Sequence, residues 1–259
     1  MATPVRMALR GNPAIGRAVI VLSGLALWEL LVRAGGGGTV VVPPPSAILV
    51  SMVQLLGLPE VRTALLDALV SVLIAFALGA VVGVLAGLVL GLSRLAYAAA
   101  YPIVVLVSSI PKMIFIPLVV LTLGVEEPAK IDYGFISAAL PIAISVTTAV
   151  RVVDEKLIRA ARSMAASRFR MAWNVIIPGT MPAIFSSLWY GIQYALLGVL
   201  LMELFVSTRG VGYFIRRYSL QPDRVFALMF LLALGAIALT VAWGAAERKI
   251  TKWRRAGPQ

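Results

Sequence analysis

The sequence contains no cysteine and no histidine. Without cysteine there is no disulfide framework and no thiolate chemistry. Without histidine the commonest side-chain switch near neutral pH and the commonest metal ligand are missing. Charged residues make up only 13% of the chain, against about 25% in an average soluble domain. A phosphate-cradling loop is also absent. The glycines at 35–38 are followed by Thr39 and Val40, not by the Gly-Lys-Ser/Thr that grips a nucleotide. No catalytic residue and no metal ligand is therefore nominated. Any ATP hydrolysis must come from another polypeptide.

What the chain has is apolar length. It is 61% hydrophobic over 259 residues, with a mean hydropathy of +0.97, which places it among membrane proteins. Six runs, 17–34, 68–92, 102–123, 131–150, 182–206 and 225–246, approach or exceed the ~20 residues a helix needs to cross a bilayer. The predicted fold class is an all-α membrane protein of six transmembrane helices. It forms one domain over 1–259, with its core at 66–250 and a loop at 151–178. The first run has a basic front but no Ala-x-Ala site behind it, so it is read as a retained span, not a cleaved leader.

The formal net charge is +12. Its placement at the edges of apolar runs indicates membrane orientation, with the lipid bilayer and not nucleic acid as the partner. Six spans put both termini and the 93–101 and 151–178 loops on one side, with fifteen basic residues against seven opposite. The positive-inside rule makes that side cytoplasmic.

Inside the spans, Gly79, Gly83, Gly87 and Gly91 recur every four residues. They line one helix face without side chains, so another backbone can approach closely. Pro111, Pro117, Pro141, Pro178 and Pro182 are expected to bend or end helices. Lys112 is an ionisable residue within the third run, and such residues are functional suspects. It either lines a cavity near a polar or anionic substrate or snorkels onto carbonyls freed by the prolines. Glu203 either lines a gate or pairs with Arg209 or Arg216, the structural role being favoured. Ser108, Ser109, Thr147 and Thr148 are candidate wall residues, equally able to bond their own helix.

The loop carries six basic residues between Arg151 and Arg170. Asp154 can cap a short helix, with Glu155 in its first turn. Glu155 and Arg159 stand at the favourable i, i+4 spacing. Leu157, Ala160, Ala161 and Met164 are placed on one face, and Lys156, Arg159 and Arg162 on another. A turn follows near 164–166. Ser167 can cap a second helix, which Pro178 interrupts.

This stretch resembles the "EAA" loop of ATP-binding-cassette importer permeases, which reads Glu-Ala-Ala, three residues, Gly, nine residues, then Ile-x-Leu-Pro. The matching positions are Arg159, Ala160, Ala161, Ala165, Val175, Ile177 and Pro178. Arg159 stands where the family has Glu, and Ala165 where it has Gly. Alanine in a left-handed turn costs roughly 1 kcal/mol relative to glycine, so the turn is expected to stay helical. The segments 43-PPPSAI-48, 92-LSR-94, 110-IPKMIFIPLVVLTLG-124 and 210-GVGY-213 are similar to the nitrate, sulfonate, taurine and vitamin-precursor branch of these permeases.

The resemblance implies the type I importer permease fold, in the bacterial inner membrane with both termini cytoplasmic. It implies that Glu155, Leu157, Arg159, Ala160, Ala161, Arg162, Met164 and Ala165 form a coupling helix. That helix docks on one of two cytoplasmic ATPase subunits, which carry the ATP and Mg; this chain holds no cofactor. A second copy of the chain is expected to complete the pathway along a twofold axis. A lysine at position 112 accompanies differing substrates in the family, so it is not read as an anion selector. The loop at 207–224 is expected to form a short outer helix. Arg209, Arg216 and Arg217 there meet either a periplasmic or lipid-anchored binding protein or lipid headgroups. The expected substrate is a small anion or polar metabolite: nitrate, a sulfonate such as taurine, or a pyrimidine or riboflavin-type vitamin precursor. The competing reading is an ion-coupled secondary transporter, which would need midplane carboxylates or an inverted repeat. Neither is seen; Asp67, Asp132 and Glu203 fall near the ends of the spans.

Overall fold

The computed structural model describes residues 13–35, 42–206 and 208–250. Arg6, Arg10, Lys252, Arg254 and Arg255, counted for orientation, lie outside these residues, as do the glycines at 36–38. The described residues are almost all helical. In order they form α1 (Pro13–Ala34), α2 (Pro45–Gly57), α3 (Pro59–Leu92) and α4 (Arg94–Ser109), followed by a 3₁₀ turn (Lys112–Phe115) and α5 (Ile116–Leu123). Then come α6 (Glu127–Arg151), α7 (Glu155–Ser163), α8 (Arg168–Met171), a π turn (Ala172–Ile176), α9 (Ile177–Phe205), α10 (Val211–Arg217) and α11 (Pro222–Ile250).

Five continuous helical runs are long and apolar enough to cross a membrane, and α4 with the 3₁₀ turn and α5 makes a sixth, bent by 91°. The bend expected at Pro111 within 102–123 is therefore a full break, with two arms on either side of it. The cause is Pro111, which has no N–H to donate and holds Ile110 in extended geometry, at φ −72° and ψ 132°. Pro178 has a milder effect than expected. The chain does not stop there. The Ile177 N–H reaches back to the Ala172 carbonyl, and this π turn shifts the register so that a helix with proline in its first turn runs on. Pro141 and Pro182 likewise lie within α6 and α9.

The core is the packing of α6 between α3 and α9. Val72 and Ala75 meet Ala138, Ile142 and Val146, and these meet Ala195 and Val199. The glycine stripe forms the closest part of this contact. A methyl group at Gly83 would lie 2.7 Å from the Ala139 carbonyl oxygen, and one at Gly87 2.6 Å from Val146 Cβ. Gly79 and Gly91 face Ala138 and Val150 in the same way. The opposite face of α3 leaves Leu66, Val81, Leu85 and Val89 exposed, as suits lipid contact and not water.

α2 was not among the predicted elements. Pro45 opens it within 43-PPPSAI-48, and it buries Ile48 and Leu55 in a second cluster with Phe214 of α10 and Leu228 of α11. Ser51 Oγ donates to Asp223 Oδ2 at 2.6 Å, tying α2 to the start of α11. α1 is held through Glu29, which accepts from Ser46 Oγ at 2.7 Å and from Arg33 Nε at 2.6 Å.

Candidate functional site

Three features are spread along α6 and α9. At the C-terminal end of α6 stands the nine-residue helix α7, none of whose residues is buried. Asp154 Oδ1 accepts from the Lys156 N–H at 2.8 Å and starts it. Ser167 Oγ accepts from the Arg170 N–H at 3.3 Å and starts α8. Glu155 and Arg159 approach to 3.8 Å, both largely exposed. Leu157 and Met164 are 52% and 82% exposed, and Ala160, Arg162 and Ala165 are exposed as well. Ala161 departs from the face assigned to it: with Ile158 it is half-buried towards the body. The helix thus has an inner apolar edge that holds it and an outer one left free.

The turn after α7 corrects the expectation that it stays helical. Ala165 adopts φ +53°. Its N–H bonds to the Arg162 carbonyl at 3.0 Å, and the Ala166 N–H bonds to the Ala161 carbonyl at 3.1 Å. These are the two bonds of a Schellman cap. Together they satisfy carbonyls at the helix end, and this offsets the local cost of alanine in a left-handed conformation.

The second feature is a cavity of about 350 Å³ at the break between α4 and α5, lined by Ser108, Ser109, Lys112, Tyr133, Ser137 and Tyr194 among others. Lys112 Nζ lies 5.8 Å from the centre of the Tyr194 ring, a cation–π contact. Ser109 Oγ donates to the Val105 carbonyl at 2.8 Å. The two threonines do not belong here. Thr147 is fully buried and bonds the Ala143 carbonyl at 2.7 Å and the Gly87 carbonyl at 3.3 Å. Thr148 bonds the Ile144 carbonyl at 2.9 Å and lies 3.4 Å from the Tyr101 hydroxyl. Tyr101 stacks on Tyr97, whose ring carries the Arg151 guanidinium 3.7 Å from its centre. A larger cavity, of about 650 Å³, opens away from this site between the end of α1, α2 and Asp223.

The third feature closes the N-terminal end of α6. Lys130 Nζ lies 3.3 Å from Glu203 Oε1. It also donates to the Arg209 carbonyl at 3.3 Å. Glu203 was expected to pair with Arg209 or Arg216. Instead its carboxylate meets Lys130 and the Gly212 N–H, and the Arg216 guanidinium bonds the backbone carbonyls of Glu203 and Leu204. α10 is the short helix expected in this loop, and the glycines of 210-GVGY-213 let it sit there. Gly210 has φ +99°, and a methyl group on it would lie 2.4 Å from Glu203 Oε1. Arg209 and Arg217 are exposed, and the Tyr213 hydroxyl beside Arg217 holds its pKa above the ordinary value.

Residues 79–251 match the family model of the binding-protein-dependent transport system inner membrane component. The chain belongs to this family. Over 154 residues it is 32% identical to the taurine transport system permease protein TauC of Escherichia coli K12, covering 59% of this chain and 56% of that one. Over 159 residues it is 26% identical to the formylaminopyrimidine transport permease protein ThiX of Halalkalibacterium halodurans, covering 61% and 64%. The matched region thus spans less than two thirds of either relative. Among solved structures, the fold matches a chain of the MetNI methionine ABC transporter in an inward-facing conformation. The TM-score is 0.63 at 21% identity, covering 74% of this chain and 96% of that one. The resemblance in the loop at 151–178 and the architecture therefore agree with the family. Tyr97, Tyr101, Tyr133, Tyr194 and Lys130 were not singled out by the sequence, because a tyrosine or a lysine at a helix end carries no local signal of what it faces.

Proposed function

We propose that this chain is the membrane-spanning permease subunit of an ATP-binding-cassette importer. In this reading two copies enclose the pathway, and α7 of each docks on one of two ATPase subunits that bind ATP and Mg. The observation that carries the reading is α7 itself, capped at both ends and exposing Leu157, Ala160 and Met164 beside Arg159 and Arg162. Joined to α6 and, through α8, to α9, it passes a displacement into two of the helices that line the cavity. The face bearing α7 is cytoplasmic by the excess of basic residues on that side. The far cap at α10 receives a binding protein, with Arg209 and Arg217 as contacts. Arg216 instead helps to build the cap.

The cargo class is a small anion or polar metabolite, in keeping with the relatives named for taurine and for a pyrimidine. An ion-coupled carrier would need a carboxylate free to take up a cation. Glu203 is already engaged by Lys130 and the Gly212 N–H. The test is reconstitution of the chain in proteoliposomes with its ATPase and binding protein. ATP-dependent uptake is expected. Gradient-driven uptake by the chain alone would overturn the reading.

A further inference from the structure

We propose that Lys112 and Tyr133 form a binding subsite for a small oxyanion at the break between α4 and α5. The inference rests on the importer reading for its role but not for its chemistry.

Two cavities meet at this point. One of about 350 Å³ and one of about 230 Å³ are both lined by Lys112, Tyr133 and Ser137, which therefore form the partition between them. The partition holds donors in need of an acceptor. Tyr133 is 3% exposed, and its hydroxyl has no hydrogen-bond partner among the described residues. Leaving a buried hydroxyl unpaired costs about 1–3 kcal/mol, so such a group calls for a reason. Lys112 has no carboxylate partner among the described residues, and its contact with the Tyr194 ring uses no acceptor oxygen. Ser137 is committed elsewhere, since its hydroxyl donates to the Tyr133 carbonyl at 2.7 Å.

A cation and a phenolic O–H, both without acceptors, suit a ligand that brings negative charge and acceptor oxygens together. A sulfonate, a nitrate or a carboxylate does so; a neutral apolar solute satisfies neither group. The sequence alone gave Lys112 no selective role. Its juxtaposition with Tyr133 supplies one. The Tyr133 hydroxyl is covered in this conformation, so binding must part the partition and join the two cavities. Depth argues against a lipid headgroup as the occupant. Tyr133 and Ser137 lie six and ten residues into α6, or about 9–15 Å along it. That is below the headgroup layer when the start of α6 marks the outer boundary.

The experiment uses the full chain, co-expressed with its ATPase and purified in a neutral detergent through a tag on this chain. Calorimetry measures binding of methanesulfonate and nitrate, with dimethyl sulfone as the uncharged counterpart. Both anions are expected to bind and the sulfone not. Tyr133→Phe is expected to weaken methanesulfonate about tenfold, the loss of one hydrogen bond to a charged group. Lys112→Gln is expected to abolish binding. The Phe variant removes a hydroxyl that bonds to nothing, so it folds even if Lys112→Gln does not. Equal binding of the sulfone, or unchanged affinity in Tyr133→Phe, overturns the subsite. Displacement of a retained phospholipid as the sole source of heat, identified by native mass spectrometry, also overturns it. Co-purification and ATP hydrolysis are read in the same samples. An assembled, hydrolysing complex that binds no anion sinks the subsite alone, whereas anion binding without any ATPase association sinks the importer reading alone.

Discussion

Lys130 and Glu203, 73 residues apart in sequence, form a buried ion pair at 3.3 Å that joins the N-terminal end of α6 to the C-terminal end of α9. Glu203 is fully buried and Lys130 is 6% exposed. Breaking such a pair by removing one member costs roughly 3–5 kcal/mol, because a buried charge is left uncompensated. Lys130→Met is therefore expected to lower the melting temperature in detergent and to open the 208–218 segment to proteolysis. The double variant Lys130→Met, Glu203→Gln removes both charges and recovers most of the loss. Equal melting of the single and double variants would show that the pair is not coupled in this way.

The α3–α6 contact predicts a contrast between two glycines. At Gly83 an added methyl group would meet the Ala139 carbonyl oxygen at 2.7 Å, whereas at Gly235 in α11 it would meet nothing within 4 Å. Gly83→Ala must push two helices apart, at about 1–3 kcal/mol. Gly235→Ala gains up to about 1 kcal/mol of helix propensity. Thermal melts of the two variants should move in opposite directions.

The Schellman turn after α7 gives a third prediction. Ala165 holds φ +53°, a conformation that costs a non-glycine residue roughly 1 kcal/mol or more. Ala165→Gly is expected to slow amide exchange at Ala166, whose N–H closes the turn on the Ala161 carbonyl. Ala165→Val, β-branched and worse at positive φ, should speed it. Both variants should insert in the membrane as the natural chain does. Faster exchange in Ala165→Gly, as added backbone freedom alone would give, would refute the turn assignment.

What the sequence disclosed and what it hid differ by the range of the interactions. The glycine stripe was legible because four-residue spacing lies within one helix. Asp154 and Ser167 were legible as caps because a cap bonds its own next turn. The bend in the third span was legible from Pro111, but its size of 91° was not, because the hydropathy continues across 102–123. The tight turn at Ala165 is hidden from the sequence because the penalty at one residue is offset by two hydrogen bonds that only the folded turn makes. Glu203 was assigned its nearest cations in sequence, Arg209 and Arg216. Its actual partner, Lys130, comes from another helix, and only the fold brings the two together. The same holds for Lys112 with Tyr133 and Tyr194, which come from three separate segments around one cavity.

The docking role of α7 can be separated from its stability. Arg159 meets Glu155 at 3.8 Å, with side chains 69% and 83% exposed. Exposed pairs of this kind contribute only about 0.3–0.5 kcal/mol, so Arg159→Glu leaves the helix and the membrane spans intact. Leu157, more than half exposed, likewise loses little internal packing on change to Asp. Any large effect of either substitution must therefore come from a partner. Both variants are expected to insert and melt like the natural chain, yet to lose most co-purification of the ATPase and most ATP-dependent uptake. Loss of uptake with docking intact would place α7 in force transmission without a share in affinity. Unchanged docking and unchanged uptake in both variants would remove α7 from the interface.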